Sequence, residues 1–120
     1  MVREDKRATW RTCMTVPKEI TVIFSTAPCD KSASLAKMLI GKHLVACVNV
    51  VTVRSYYQWK GEYCDDEEHL LIIKTPKEKA GEVIAEIKTH HPYELPEIIA
   101  LPVIDGYPPY LDWVHEETQR

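Results

Sequence analysis

A chain of 120 residues with 15 basic and 18 acidic side chains, a net charge of -3, 45% hydrophobic and 28% charged residues has the balance of one globular domain and excludes a disordered chain. The acidic balance, with no basic stripe interleaved with aromatics, argues against nucleic acid as a partner. No apolar run approaches transmembrane length and the N-terminus lacks the apolar core of a signal peptide, so the expectation is a cytoplasmic protein that does not enter a membrane.

Residues 1–19 mix both signs of charge around a lone Trp10 and carry no sustained period. They read as an N-terminal extension to a single domain over residues 20–120. The β-branched run from Ile20 to Thr26 stops at Ala27-Pro28 and reads as a buried first strand. Asp30 or Ser32 is then placed to cap a helix whose apolar face, Leu35, Met38 and Leu39, runs to about His43.

Two long strand-like runs follow, Ala46 to Trp59 and Glu62 to Thr75, broken only by Lys60-Gly61. Average strands have about five or six residues, so such arms must leave the body of a small sheet and present unpaired edges. An obligate oligomer is the expectation. Thr75-Pro76-Lys77-Glu78 has the spacing of a capping box, and Ala80, Val83, Ile84 and Ile87 then fall on one helical face. Glu97 to Ile104 reads as a further strand, and Pro108-Pro109 opens a short terminal helix. The order is strand, helix, strand, strand, helix, strand, helix. It is the α+β, ferredoxin-like split βαβ pattern with a C-terminal addition.

The densest chemistry lies in His90-His91-Pro92-Tyr93-Glu94-Leu95-Pro96-Glu97, where two imidazoles, a phenol and two carboxylates sit around two prolines. The prolines push His91 and Leu95 towards extended backbone, which ends the helix and aims the chain into the next strand. Imidazole and carboxylate suit divalent first-row metals, Cu(II) and Zn(II) above all. Adjacent helical residues point about 100° apart, so His90 and His91 are not expected to chelate one ion together. A ligand histidine would need Glu97 or a group from elsewhere in the fold or another subunit; either histidine also suits a helix C-terminal cap.

Other features have plainer readings. Cys13, Cys29, Cys47 and Cys64 form no Cys-x-x-Cys pair, against a zinc knuckle or a thioredoxin-type site, and Cys47 is expected as a small buried hydrophobe. The acidic run Asp65 to Glu68 alternates between strand faces and reads as a solvated hairpin arm. Tyr56, Tyr57, Trp59 and Tyr63 flank the hairpin tip and suit a subunit interface, with a small-molecule pocket as the other use. No nucleophile-elbow glycines or phosphate-cradling loop are present, so an enzyme is not expected.

The ordered set Ser25-Thr26-Ala27-Pro28, Leu44 to Asn49, Tyr57-Gln58-Trp59-Lys60-Gly61, Lys74-Thr75, His91 to Glu97, Ala100 to Val103 and Tyr110-Leu111-Asp112-Trp113 resembles the CutA family of divalent-cation tolerance proteins. The resemblance spans about Glu19 to Gln119. It implies a ferredoxin-like subunit that forms a trimer with the long hairpin wrapping a neighbour, Tyr57 and Trp59 lying at that interface. It further implies a link to divalent metals, notably copper, and for mammalian relatives to a protein partner, acetylcholinesterase. The trimer is similar to PII signal proteins, which bind small effectors in clefts between subunits. By the same resemblance His90 and Glu97 stand at metal-ligand positions; the usual order of divalent affinities puts Cu(II) ahead of Zn(II), with neither held tightly. Ser25 stands where metal-bound relatives carry a cysteine; Ser25, Cys29 and Tyr93 are the expected positions for a cleft or third ligand. Two functions follow: a non-enzymatic metal-binding homotrimer for metal tolerance, or a PII-like trimer whose clefts recognise an effector or a protein.

Overall fold

The computed structural model describes residues 18–119; the expected extension over 1–19 lies almost wholly outside the described residues. Strand β1 (Ile20–Ala27), helix α1 (Ser32–Gly41), strands β2 (Cys47–Trp59) and β3 (Glu62–Pro76), a 3-10 turn (Lys77–Lys79), helix α2 (Ala80–His90), strand β4 (Ile98–Pro102) and helix α3 (Pro108–Glu116) follow in the expected order. They build one four-stranded sheet of order β2-β3-β1-β4, with β1 antiparallel to both β3 and β4. This is the α+β ferredoxin-like arrangement with a C-terminal helix added.

Alternation along the strands divides the side chains between two faces. Ile23, Ala27, Leu71 and Ile73 face α1 and α2 and close a core with Leu35, Leu39, Val83 and Ile87. Ile20 points to the opposite face and packs with Leu111 and Val114 of α3. That helix is pinned by His115, whose Nε2–H donates to the Glu19 carbonyl at 2.8 Å. Beyond α3 the second face carries Phe24, Ile72 and Ile99 in register, with Ile99 50% exposed. An apolar sheet face that no described element covers is unusual for a lone domain.

The hairpin is as long as its sequence suggests. Strand β1 ends its pairing at Ala27↔His69, whereas β2 and β3 remain paired from Val53↔Glu68 out to Trp59↔Glu62. This two-stranded arm extends roughly 23 Å at the usual strand rise and accounts for the long axis of the 55 × 25 × 25 Å described chain. Its turn is set by Lys60 (φ 52) and Gly61 (φ 82). Two central residues with positive φ make the tight turn whose twist matches antiparallel strands.

Five local expectations are corrected. Thr75 does not cap a helix: it is a fully buried strand residue whose hydroxyl donates to the Leu44 carbonyl at 2.7 Å, and the chain enters α2 through the 3-10 turn. Neither Asp30 nor Ser32 caps α1, because Ser32 is its first residue and its hydroxyl is engaged with His69 Nδ1 at 2.6 Å. Helix α1 stops at Gly41, before His43, which adopts φ 57. Strand β4 is Ile98–Pro102, shorter than Glu97 to Ile104, since Val103 turns to join the α3 cluster. Cys47 is half-buried on the open face, opposite Lys74, and is not a core residue.

Candidate functional site

The end of α2 separates the two histidines by chemistry as well as direction. His91 is 9% exposed and fully engaged. Its Nε2 lies 2.7 Å from the Thr26 carbonyl, which can only accept, so Nε2 carries the proton; its Nδ1 accepts from the Tyr93 amide at 3.1 Å. Both ring nitrogens are used to tie the turn to the end of β1, leaving no lone pair for a metal. His90 is different: Nδ1 lies 3.0 Å from the Glu86 carbonyl and donates to it, so the Nε2 lone pair is directed elsewhere on a side chain 45% exposed. A histidine so anchored is both a cap on the last helical turn and a potential ligand.

His91 and the prolines place Tyr93 on the hairpin arm. Its phenol donates to Glu68 Oε2 at 2.7 Å, while Tyr57, on the same face of the arm, donates to Asp66 Oδ2 at 2.5 Å. Burial and then the Glu68 hydrogen bond hold the Tyr93 phenol well above its ordinary pKa. The bond to Asp66 does the same for Tyr57. Between the arm and the 92–97 turn lies a pocket of 780 Å³ walled by Tyr57, Trp59 and Tyr93 and by the carboxylates of Asp66, Glu68, Glu94 and Glu97. At its rim, Lys60 Nζ lies 3.3 Å from Glu94 Oε1 and 5.4 Å from the centre of the Trp59 ring.

The expected ligand positions are spread out within one chain. Glu97 lines this pocket, whereas His90 lines a smaller cavity of 300 Å³ with Lys31, Ser34, Leu35 and Met38. Ser25 is 1% exposed on the helix-facing side of β1, and its Oγ is the one buried side-chain oxygen or nitrogen without a hydrogen-bond partner among the described residues. Cys29 is exposed, with Sγ 3.9 Å from the Glu67 carbonyl. Among the described residues no three His, Cys, Asp or Glu side chains are grouped to hold a metal ion.

The family of CutA1 divalent ion tolerance proteins matches residues 20–117. The chain belongs to the CutA family. It is 42% identical over 106 residues to protein CutA of Mus musculus, covering 87% of this chain but only 60% of the mouse protein. It is 41% identical over 99 residues to the divalent-cation tolerance protein CutA of Thermus thermophilus, covering 81% of this chain and 96% of that one. In structure it is similar to the PII-like protein CutA from Nostoc, with a TM-score of 0.80, 34% identity, and 82% and 97% of the two chains covered. The CutA fold therefore accounts for residues 20–117.

Within this CutA chain, one residue of the pocket and one at its rim escaped sequence reading. Glu68, read as part of a solvated arm, is 4% exposed because Tyr93 docks on it. Alternation does put it beside Asp66 on the Tyr57 face, but nothing local announces that a turn 25 residues later covers it. Lys60, visible only as a turn residue, supplies the pocket's rim cation. No described helix is long and apolar enough to cross a membrane.

Proposed function

We propose that the protein is a non-enzymatic homotrimer that binds divalent metal ions, Cu(II) ahead of Zn(II), in the tolerance of such ions. The observation that carries the metal reading is the anchored His90, whose Nδ1 donates to Glu86 and whose Nε2 remains a potential ligand on an exposed ring. A second-sphere carbonyl of this kind is the usual orienting partner of a ligand imidazole. His90 and Glu97 line separate cavities of one chain, so the proposed site draws its remaining ligands from another subunit or from solvent. With Ser25 buried where a thiolate would favour soft metals, affinity is expected to be modest and Cu(II) preferred by the general order of divalent stabilities.

The trimer is supported by the apolar sheet face around Phe24, Ile72 and Ile99, and by the unpaired edges of the hairpin arm. Tyr57 and Trp59 would then line a cleft between subunits. Cytoplasmic residence belongs to the same proposal and is tested by cell fractionation. Calorimetric titration of the assembled protein with Cu(II) tests the metal reading: a stoichiometric site lost in His90→Ala and weakened in Glu97→Gln is expected. A His90→Ala variant that binds like the parent refutes it.

The second reading, a PII-like trimer that recognises an effector in its clefts, is favoured by a specific observation. The 780 Å³ pocket with three aromatic walls is of the size that holds small molecules. Metal-independent binding of an effector would favour this reading over the first.

A further inference from the structure

The chemistry of the large pocket is one-sided. Its walls include the carboxylates of Asp66, Glu68, Glu94 and Glu97, and among the described residues no lysine or arginine lines it. Phosphates and other anions would meet like charge there, without the guanidinium or ammonium that recognises them. Glu68 is the most telling of the four. It is only 4% exposed, Tyr93 occupies Oε2, and Oε1 has no hydrogen-bond partner among the described residues. Oε1 is not a buried orphan, since Ser25 Oγ alone holds that place among the described residues; it opens on the pocket that Glu68 lines, where a cationic or donor group can meet it.

A metal ion fits poorly in this role. No three acidic, histidine or cysteine side chains are grouped around one point among the described residues, so the negative charge is spread along a cavity rather than gathered into a coordination sphere. Spread carboxylates between aromatic rings match a cation with an apolar stem. The protein supplies its own example at the rim, where the Lys60 ammonium sits over the Trp59 ring at 5.4 Å and against Glu94 at 3.3 Å. An alkylammonium between an indole face and a carboxylate gains both cation–π and ionic attraction.

We propose that this pocket binds a linear aliphatic di- or polyamine, one ammonium meeting Glu68 and Asp66 in the interior and another replacing Lys60 between Trp59 and Glu94. The methylene chain lies along Tyr57 and Tyr93. The proposal rests on the effector-cleft reading and names the ligand class of that cleft. Lys60 acts as an internal competitor, so removing it frees the outer subsite.

The test is calorimetric titration of the full-length assembled protein with 1,5-diaminopentane and with spermidine. Saturable binding at one site per chain is expected. Glu68→Gln, whose amide oxygen can still accept the Tyr93 hydrogen bond, should weaken it about tenfold or more, and Lys60→Met should strengthen it about tenfold. Lys77→Met removes the same charge from a remote pair with Glu19 at 3.1 Å and should leave the affinity unchanged. The proposal is overturned if neither amine gives saturable heat, if the pocket variants bind like the parent, or if Lys77→Met strengthens binding as much as Lys60→Met. Should neutral or anionic metabolites bind in a Tyr93-dependent way while both amines fail, the cleft reading stands and the amine assignment falls. Failure of every probe removes both.

Discussion

Replacing Ser25 with alanine is expected to stabilise the protein. Ser25 is 1% exposed, lies between Leu71 and Ile98 in the register of β1, and its Oγ finds no partner among the described residues. Leaving a buried hydroxyl unpaired costs about 1–3 kcal/mol, and the alanine variant recovers that cost. The void left by one oxygen atom forfeits at most about 1 kcal/mol of packing. The net expectation is a gain of about 1 kcal/mol. Ser25→Cys should also stabilise, since a thiol behaves as a small hydrophobe in such surroundings. Urea denaturation at matched chain concentration, read as a higher midpoint with an unchanged slope, measures the effect. A loss of more than about 1 kcal/mol in Ser25→Ala would refute the reasoning, because it would show that the hydroxyl is bonded to a partner and is not an orphan of the core.

Other perturbations test the site and the assembly. The raised phenol of Tyr93 contributes stability that is fully present below the ordinary tyrosine pKa, about 10, and is lost as pH rises towards its elevated folded value. Tyr93→Phe should therefore lower stability at neutral pH, by about 1 kcal/mol, yet blunt the alkaline decline seen in melts across pH 9 to 12; an identical alkaline slope would count against the Glu68 bond. Gly61→Ala forces a side chain onto φ 82 and should cost about 1–2 kcal/mol in thermal unfolding, whereas a neutral result would mean that the hairpin turn relaxes. Phe24→Asp, on the apolar sheet face, should convert a three-chain species into smaller or unfolded chains by light scattering; a parent that is a stable folded monomer at micromolar concentration would remove the trimer proposal itself. Cu(II) binding should weaken as the pH falls, because protons compete with the metal for the imidazole lone pair, and pH-independent binding would point away from His90.

Local signals in the chain were enough for the order of elements. The β-branched run at Ile20, the apolar spacing Ala80, Val83, Ile84, Ile87, the Lys60-Gly61 break and the Pro108-Pro109 start each act over a few residues, and each appears in the structure where its period or turn chemistry places it. The family motifs were equally legible, because they are runs of adjacent residues. What the sequence could not decide was the fate of single polar groups. Thr75 spends its hydroxyl on Leu44, 31 residues away, rather than on its own helix. His91 gives both nitrogens to Thr26 and Tyr93, and so leaves His90 as the exposed imidazole of the pair. Glu68 is enclosed by Tyr93, while Ser25 is enclosed with no partner among the described residues. Periodicity tells which face a side chain occupies. Only the packing of distant segments decides whether a donor, an acceptor or a void meets it there, and that meeting fixes the charge, tautomer and accessibility from which function is built.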